Sequence, residues 1–158
     1  MPRIYLDVCC FNRPFDNQIQ SRIRVETEAI LAILERCETG VWELVISEMV
    51  ETEVAQITDQ ERRQRIDGAL LMARSNIMVN DKVESRGKDL QNFGFHGFDA
   101  LHLACAEVAQ ADVFLSTDDR LLRRAARYSN SLNVAVDNPA TWLITTLQAG
   151  EDNDPNGA

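Results

Sequence analysis

The stretch FDALHLACAEVAQADVFLSTDDRLLRRAARY, residues 98–128, carries the pattern that decides the fold class. Residues 98–110 have the spacing of an amphipathic helix. Four apolar side chains are predicted on one side of that helix: Phe98, Leu101, Cys105 and Val108. Residues 112–116 form a short apolar run, which predicts a buried strand, and Thr117 or Asp118 is placed to cap the Arg-rich helix that follows. A helix, a strand and a helix in succession indicate an α/β protein.

The same alternation extends over the rest of the chain. The other predicted strands are residues 3–7, 41–47, 77–79 and 133–136. The other predicted helices are residues 19–37, 48–57 with Ser47 as N-cap, 59–74 with a capping box of Thr58 and Glu61, 81–92, and one that begins at Pro139. This order predicts a Rossmann-like three-layer α/β/α sandwich with a central parallel sheet. We expect one domain over residues 1–148 and a polar, disordered tail over 149–158.

Length and composition bound the class of protein. The chain has 158 residues, of which 45% are hydrophobic and 26% are charged, as in an ordinary globular domain. No apolar run approaches the roughly 18 residues of a membrane span, and the N-terminus lacks the plan of a secretion signal. The four cysteines form no C-x-x-C pair, which favours reduced thiols. We therefore expect a soluble, cytoplasmic protein that has no membrane partner.

The charge balance is strongly acidic. The net charge of −9, from 25 acidic and 16 basic residues, argues against binding of nucleic acid through bulk positive charge. A negative net charge is compatible with a nucleic-acid enzyme that gathers acids around a divalent cation, because those acids also count toward the net charge.

Four carboxylates are predicted at the edge of the sheet where the strands end: Asp7, Glu53, Asp99 and Asp118. Like charges that converge on one place are unfavourable unless a cation neutralises them. Carboxylates favour hard divalent cations, so we expect Mg²⁺ or Mn²⁺. The alternative is structural, because Asp99 and Asp118 could serve only as helix caps and Glu53 could be one surface glutamate among several. An acid that closes a buried strand, as Asp7 does, is poorly explained by either role.

Four segments carry a family resemblance. They are YLDVCCFNRPFD (5–16), ISEMVETEVA (46–55), FHGFDALHLACA (95–106) and DVFLSTDDRLLRRA (112–125). In this order and spacing they resemble PIN-domain nucleases, in particular the small stand-alone bacterial members that include the VapC-like toxins. The resemblance spans residues 3 to 145, nearly the whole chain. It implies a three-layer α/β/α fold in which Asp7, Glu53, Asp99 and Asp118 are the catalytic, metal-binding acids.

The resemblance also implies an activity. It implies an endoribonuclease that uses Mg²⁺ or Mn²⁺ to hydrolyse RNA and leaves 5′-phosphate and 3′-hydroxyl ends. It further implies a homodimer, for which we take residues 59–74 and 81–92 as the contact surfaces, and a small antitoxin protein as partner. Toxins, housekeeping nucleases and binding modules share this scaffold. The resemblance therefore does not decide between these roles, and it does not identify the RNA.

Supporting residues are assigned around the four acids. Ser116 stands where the family has Thr or Ser beside the last acid. Asp119 follows that acid directly and could either assist it or be a surface neighbour. Most relatives have Thr and Asn after the first acid, whereas this chain has Val8 and Cys9. The sequence therefore predicts that Asp7 lacks groups to orient it, with Asn12 as the residue that compensates.

The helix after the last strand-end acid is rich in arginine. Arg120, Arg123 and Arg124 are candidates for binding substrate phosphates. The alternative is that these arginines only flank the last carbonyls of their helix and offset nearby acids.

Three other functions compete with the metal nuclease. A metal-independent ribonuclease could use His96 and His102, although six residues apart across a helix start they point differently. A haloacid-dehalogenase phosphatase would need a second Asp where Cys9 stands. A non-catalytic PIN domain that binds nucleic acid or protein is the main alternative, which the departures at Val8 and Cys9 favour and the four retained acids oppose.

Overall fold

The computed structural model describes residues 1–152, which form a sheet with helices packed around it. The strands are β1 (Arg3–Leu6), β2 (Glu43–Ser47), β3 (Ser75–Ile77), β4 (Val113–Leu115) and β5 (Ala135–Asp137). The helices are α1 (Val8–Asn12), α2 (Ser21–Glu38), α3 (Glu48–Ala55), α4 (Gln60–Leu70), α5 (Asp81–Asn92), α6 (Gly97–Val108), α7 (Asp119–Arg127) and α8 (Pro139–Asp152). Two short 3-10 turns lie at Arg13–Phe15 and Ser129–Ser131. None of these helices is long and apolar enough to cross a membrane.

The sheet is parallel, and its strand order is β3-β2-β1-β4-β5. The central strand β1 pairs with β2 through Arg3 and Glu43 on one side and with β4 through Ile4 and Val113 on the other. The chain moves outward from β1 in both directions, so the topological switch point lies where β1 meets β4. The predicted three-layer α/β/α sandwich with a parallel sheet is confirmed.

Burial explains why the strands read as continuous apolar runs. Ile4, Tyr5 and Leu6 of β1 are completely buried, because helices cover both faces of a parallel sheet. Tyr5 stacks on Phe114 of β4 with ring centroids 5.3 Å apart. The central strands are therefore rigidly packed, and this packing fixes the positions of the residues that follow them.

The buried side of α6 agrees with the prediction in part, because Cys105 is buried and Leu101 and Val108 are half-buried against the core. Its buried residues are Ala100, His102, Leu103, Ala104, Cys105 and Ala106, whereas Phe98 is 55% exposed. Phe98 lies in the first turn, beyond the end of the sheet, and lines a groove between α5 and α6 with Leu101. The alanines on the buried side of α6 allow this helix to pack close to the sheet. That side is therefore buried, although its residues are less apolar than those of the predicted side.

Some boundaries also differ. The short helix α1 was not predicted, β3 begins two residues earlier than expected, and Asp59 rather than Thr58 caps α4 through the Arg62 N–H. The last helix α8 runs to Asp152, past the domain end expected at residue 148. The remainder of the predicted tail, residues 153–158, lies outside the described residues.

Candidate active site

The predicted acids follow strands that end at one edge of the sheet. Asp7 follows β1 and caps α1, while Asp118 lies three residues after β4 and caps α7. Glu53 lies on α3, which begins directly after β2 with Ser47 as its N-cap. Because β2, β1 and β4 are adjacent and parallel, these three carboxylates are carried to the same edge of the sheet.

Asp7 is a buried acid that is held at both carboxylate oxygens. Only 8% of the residue is exposed. Its Oδ1 accepts the backbone N–H of Val8 at 2.9 Å, and its Oδ2 accepts the hydroxyl of Ser116 at 2.9 Å. Burial raises the pKa of Asp7, and the charge of Glu53 adds to that effect. The two like charges are therefore close enough to interact.

Val8 and Cys9 do not leave Asp7 without orienting groups. The Cys9 thiol lies 3.5 Å from Asp7 Oδ2 and 3.4 Å from Ser116 Oγ. Together with the Val8 N–H and the Ser116 hydroxyl, it supplies the orientation that the sequence predicted to be missing. A thiol is a weak donor, so the strong bonds to Asp7 come from Ser116 and the backbone.

Ser116 joins two of the acids. Its Oγ donates to Asp7 and accepts the backbone N–H of Asp118 at 3.1 Å, and the residue is completely buried. Asp118 Oδ1 accepts the N–H groups of Arg120 and Leu121 at 2.9 and 3.4 Å. The carboxylate of Asp118 is therefore fixed at the N-terminus of α7, while the residue itself is exposed at the surface.

Asp99 is the predicted acid whose pKa is affected by both strand-end acids. It lies in the first turn of α6 and is half-buried. Burial raises its pKa to about 6, and the charges of Asp7 and Asp118 contribute to that shift. The helix N-terminus favours a charged carboxylate, yet the unfavourable effects are larger here. The charges of Asp7 and Asp118 therefore act on the carboxyl of Asp99, although burial is the larger cause of the shift.

Glu53 is held by a histidine. Its Oε1 lies 2.7 Å from Nε2 of His102, whose side chain is only 1% exposed. The other ring nitrogen, Nδ1, lies 2.6 Å from the hydroxyl of Tyr5, and that hydroxyl lies 2.6 Å from Ser47 Oγ. A hydrogen-bonded chain therefore runs from the cap of α3 through the sheet and α6 to the carboxylate on α3.

These residues fit a hard cation by their chemistry. The donors are carboxylate oxygens, which Mg²⁺ and Mn²⁺ prefer, and a cation would offset both the burial and the neighbouring charges that raise the pKa of Asp99. In the part of the chain described, no three His, Cys, Asp or Glu side chains already stand close enough together to hold a metal ion. The fold thus carries Asp7, Glu53 and Asp118 to one edge of the sheet without assembling a finished set of metal ligands.

The two remaining supporting residues have different surroundings. Asn12, the last residue of α1, lines a cleft of about 460 Å³ together with Cys9 and Gln56. Asp119 points the other way, because both its oxygens accept from the guanidinium of Arg22 at 2.7 Å. These bonds lower the pKa of Asp119. Its carboxylate is thus occupied by an ion pair with α2.

The three arginines of α7 that are candidates for RNA binding differ in their surroundings. Arg120 and Arg123 are exposed, as an RNA-binding role requires. Arg124 is half-buried and donates to the carbonyl of Phe93 at 3.1 Å. Its guanidinium lies over Gly94, which has a φ of 93° and leaves no space for a Cβ. Arg124 therefore binds the loop between α5 and α6.

Sequence reasoning missed the roles of His102, Tyr5 and Arg22. The competing two-histidine ribonuclease singled out His102, but its bonds tie it to Glu53 and Tyr5, whereas His96 is exposed at the start of α6. The available signal was spacing, because His102 follows Asp99 by three residues and so lies on the same side of the helix.

An all-parallel five-stranded sheet with carboxylates at its switch point defines an α/β protein with an acidic site. The model of the PIN domain family matches residues 4–128, so the chain belongs to the PIN domain family. The comparison with curated proteins found no match. Among solved structures, the chain is similar to the crystal structure of VapBC2 from Rickettsia felis bound to a DNA fragment from their promoter. The TM-score is 0.55 at 15% identity, over 86% of this chain and 98% of that one.

Proposed function

We propose that this protein is a divalent-metal-dependent endoribonuclease whose metal ligands are Asp7, Glu53, Asp99 and Asp118. PIN domains are generally nucleases, and membership of that family supports the activity. The observation that most strongly supports the proposal is that Asp7, Glu53 and Asp118 follow three adjacent parallel strands that end at one edge of the sheet. Burial, and after it the charges of Asp7 and Asp118, raises the pKa of Asp99 to about 6, and a bound cation would favour its charged form.

The chemistry is hydrolysis of a phosphodiester. Mg²⁺ or Mn²⁺, when bound, activates water and neutralises charge at phosphorus. The water loses a proton as its oxygen forms a bond to phosphorus, the bond from phosphorus to the 3′ oxygen breaks, and the leaving 3′ oxygen takes up a proton. The products are a 5′-phosphate and a 3′-hydroxyl. In this chain, Ser116 and the Val8 N–H fix the direction of Asp7, and the N-terminus of α7 fixes Asp118.

Substrate binding is assigned to α7. Arg120 and Arg123 are exposed two and five residues after Asp118, so their guanidinium groups can reach phosphates next to the cleaved bond. Arg124, the third candidate, is half-buried and also fixes the α5–α6 loop through its bond to the Phe93 carbonyl. The protein as a whole carries a net charge of −9, so affinity depends on this local positive surface.

The biological setting is part of the same proposal. We take the protein to be the toxin of a cytoplasmic toxin–antitoxin pair that forms a homodimer and binds a small antitoxin protein. The similarity to the VapBC2 structure, which holds a DNA fragment from the promoter, supports this choice of partner class.

A second candidate is a PIN domain that binds RNA or protein without cleaving it. It is favoured by the finding that no three potential ligands stand at metal-binding separation in residues 1–152. Glu53 and Asp118 are also already hydrogen-bonded to His102 and to backbone N–H groups. This alternative predicts RNA binding that is independent of Mg²⁺ and Mn²⁺.

The test is cleavage of labelled single-stranded RNA with Mg²⁺ or Mn²⁺ by the wild type and by Asp99→Asn. The matched control is Asp89→Asn, which changes an exposed acid of α5. We expect metal-dependent products with 5′-phosphate ends from the wild type and the control, and a loss of at least about 100-fold in rate for Asp99→Asn. Equal cleavage by Asp99→Asn, or cleavage that survives EDTA, contradicts the proposal.

A further inference from the structure

We propose that His102 is a positioning residue that aims Glu53 at the cation, with Tyr5 and Ser47 fixing the direction of its ring. The inference rests on the proposed function, because Glu53 matters only if the four acids bind metal. It names three residues outside the acid set, and it gives a function to a buried polar chain that the fold alone does not require.

The buried polar chain is costly to the stability of the fold. His102, Tyr5 and Ser47 are all completely or almost completely buried among apolar side chains. A buried polar group destabilises the fold unless each donor and acceptor has a partner, and an apolar core would serve stability equally well. The groups form one continuous chain that ends at Glu53, whose side chain is 25% exposed. The chain therefore leads from the interior to the site.

The donors and acceptors of the chain are balanced. Ser47 Oγ accepts the Val50 N–H at 3.3 Å, which leaves its hydroxyl proton for Tyr5. The phenol of Tyr5 carries its proton at neutral pH and lies 2.6 Å from Nδ1 of His102, to which it can donate. The imidazole then carries its own proton on Nε2 and donates it to Glu53 Oε1. Each proton in the chain has one acceptor.

The bond from His102 restricts the Glu53 side chain. A glutamate has three rotatable side-chain bonds and on a helix surface visits several rotamers. The bond at Oε1 holds the carboxylate in one direction and leaves Oε2 for a metal ion. A residue that orients a metal ligand in this way typically changes metal affinity by about 10- to 100-fold when it is removed.

The experiment is a calorimetric titration of the full-length protein with Mn²⁺. His102→Leu removes the donor, and His102→Gln replaces the Nε2 donor with an amide N–H. Tyr5→Phe removes only the hydroxyl and keeps the ring that stacks on Phe114. Leu103→Ala is the matched control, because it creates a cavity in the same buried face of α6 without touching the chain of hydrogen bonds.

We expect Mn²⁺ affinity to fall about tenfold or more in His102→Leu and by a smaller factor in Tyr5→Phe. We expect His102→Gln to recover most of the affinity, and Leu103→Ala to lower Tm while leaving the affinity unchanged. A merely structural role for His102 predicts the opposite, with weaker binding in Leu103→Ala and no rescue by Gln.

The two possible failures are distinguishable. If the wild type binds Mn²⁺ and Asp99→Asn does not, while His102→Leu and Tyr5→Phe bind within about twofold of the wild type, the positioning role is wrong and the metal site stands. If the wild type binds no Mn²⁺, the proposed function and this inference fall together.

Discussion

At the scale of single residues, Asp99 couples the stability of the fold to pH. Its pKa in the folded protein is about 6, whereas an unfolded Asp titrates near about 3.9. Between these values the folded state binds more protons than the unfolded state, so the free energy of unfolding falls as pH rises. This is the reverse of the usual effect of a paired carboxylate.

Asp99→Asn should therefore be more stable than the wild type at pH 7 without metal and about equal to it below about pH 4. The shift sets a ceiling of about 3 kcal/mol, and screening by solvent at this half-buried position reduces the gain to about 1–2 kcal/mol. Urea unfolding in EDTA at both pH values measures it. A difference between the two proteins that stays constant with pH contradicts the assignment.

Asp118 and Asp119 offer a second test, because they are adjacent acids with different partners. Asp118 is fixed by backbone N–H groups at the start of α7, whereas the oxygens of Asp119 are bound by Arg22. We expect Asp118→Asn to weaken Mn²⁺ binding at least about tenfold and Asp119→Asn to leave it unchanged. Calorimetry on the pair provides its own matched control. An equal loss of Mn²⁺ affinity in the two variants would indicate that Asp119 also belongs to the metal site.

The acids could be predicted from the sequence more readily than the residues that hold them. Asp7 stands out because an acid at the end of a buried strand is unusual. His102 has partners 97 residues away in Tyr5 and 49 residues away in Glu53, and such pairs exist only after the sheet has formed. The sequence predicted a missing donor at Cys9 because residue type does not show that this thiol turns toward Asp7 and Ser116.

At the scale of elements, α7 combines a fixed acid with a positive surface. Its N-terminus holds Asp118, and its exposed side presents Arg120 and Arg123. We expect reversal of both charges to weaken RNA binding, and the slope of log affinity against log salt to fall by about one for each phosphate that the protein no longer binds. Filter binding at several salt concentrations measures the slope.

The chemical step should be spared by this change. At saturating RNA, single-turnover cleavage by Arg120→Glu with Arg123→Glu should stay near the wild-type rate. A large fall in that single-turnover rate would show that these arginines contribute to the chemical step. Arg124→Gln should instead lower thermal stability. The Arg124 guanidinium donates to the carbonyl of Phe93 and so ties α7 to the loop between α5 and α6.

Elements with strong periodic patterns could be predicted, and short ones could not. The strands β1, β2 and β4 are buried runs with clear ends, and each of them falls within the range that its apolar run predicts. Helix α1 has five residues, too few for a periodic signal, and it forms because the Asp7 carboxylate caps it. The edge strands β3 and β5 have three residues each, so their register depends on pairing that the sequence does not encode locally.

At the scale of the whole molecule, the homodimer predicted from the sequence can be tested by measuring the oligomeric state. The expected contact surfaces are residues 59–74 and 81–92, and Leu71 in the first of these is 86% exposed. Burial of exposed apolar side chains favours association. Sedimentation at tens of micromolar, a range suited to weak dimers, should show a dimer that Leu71→Asp shifts toward monomer. A monomer at that concentration contradicts the prediction.

The central claim is that the carboxylates placed by β1, α3, α6 and α7 form one site for divalent metal. Calorimetric titration of the wild type, Asp7→Asn and Asp99→Asn with Mn²⁺ at pH 7 tests it most directly. We predict saturable binding by the wild type and an affinity at least about tenfold lower in each variant, although both variants stay folded. Absence of binding by the wild type, or binding that both variants retain, would contradict the claim and favour the non-catalytic binding domain.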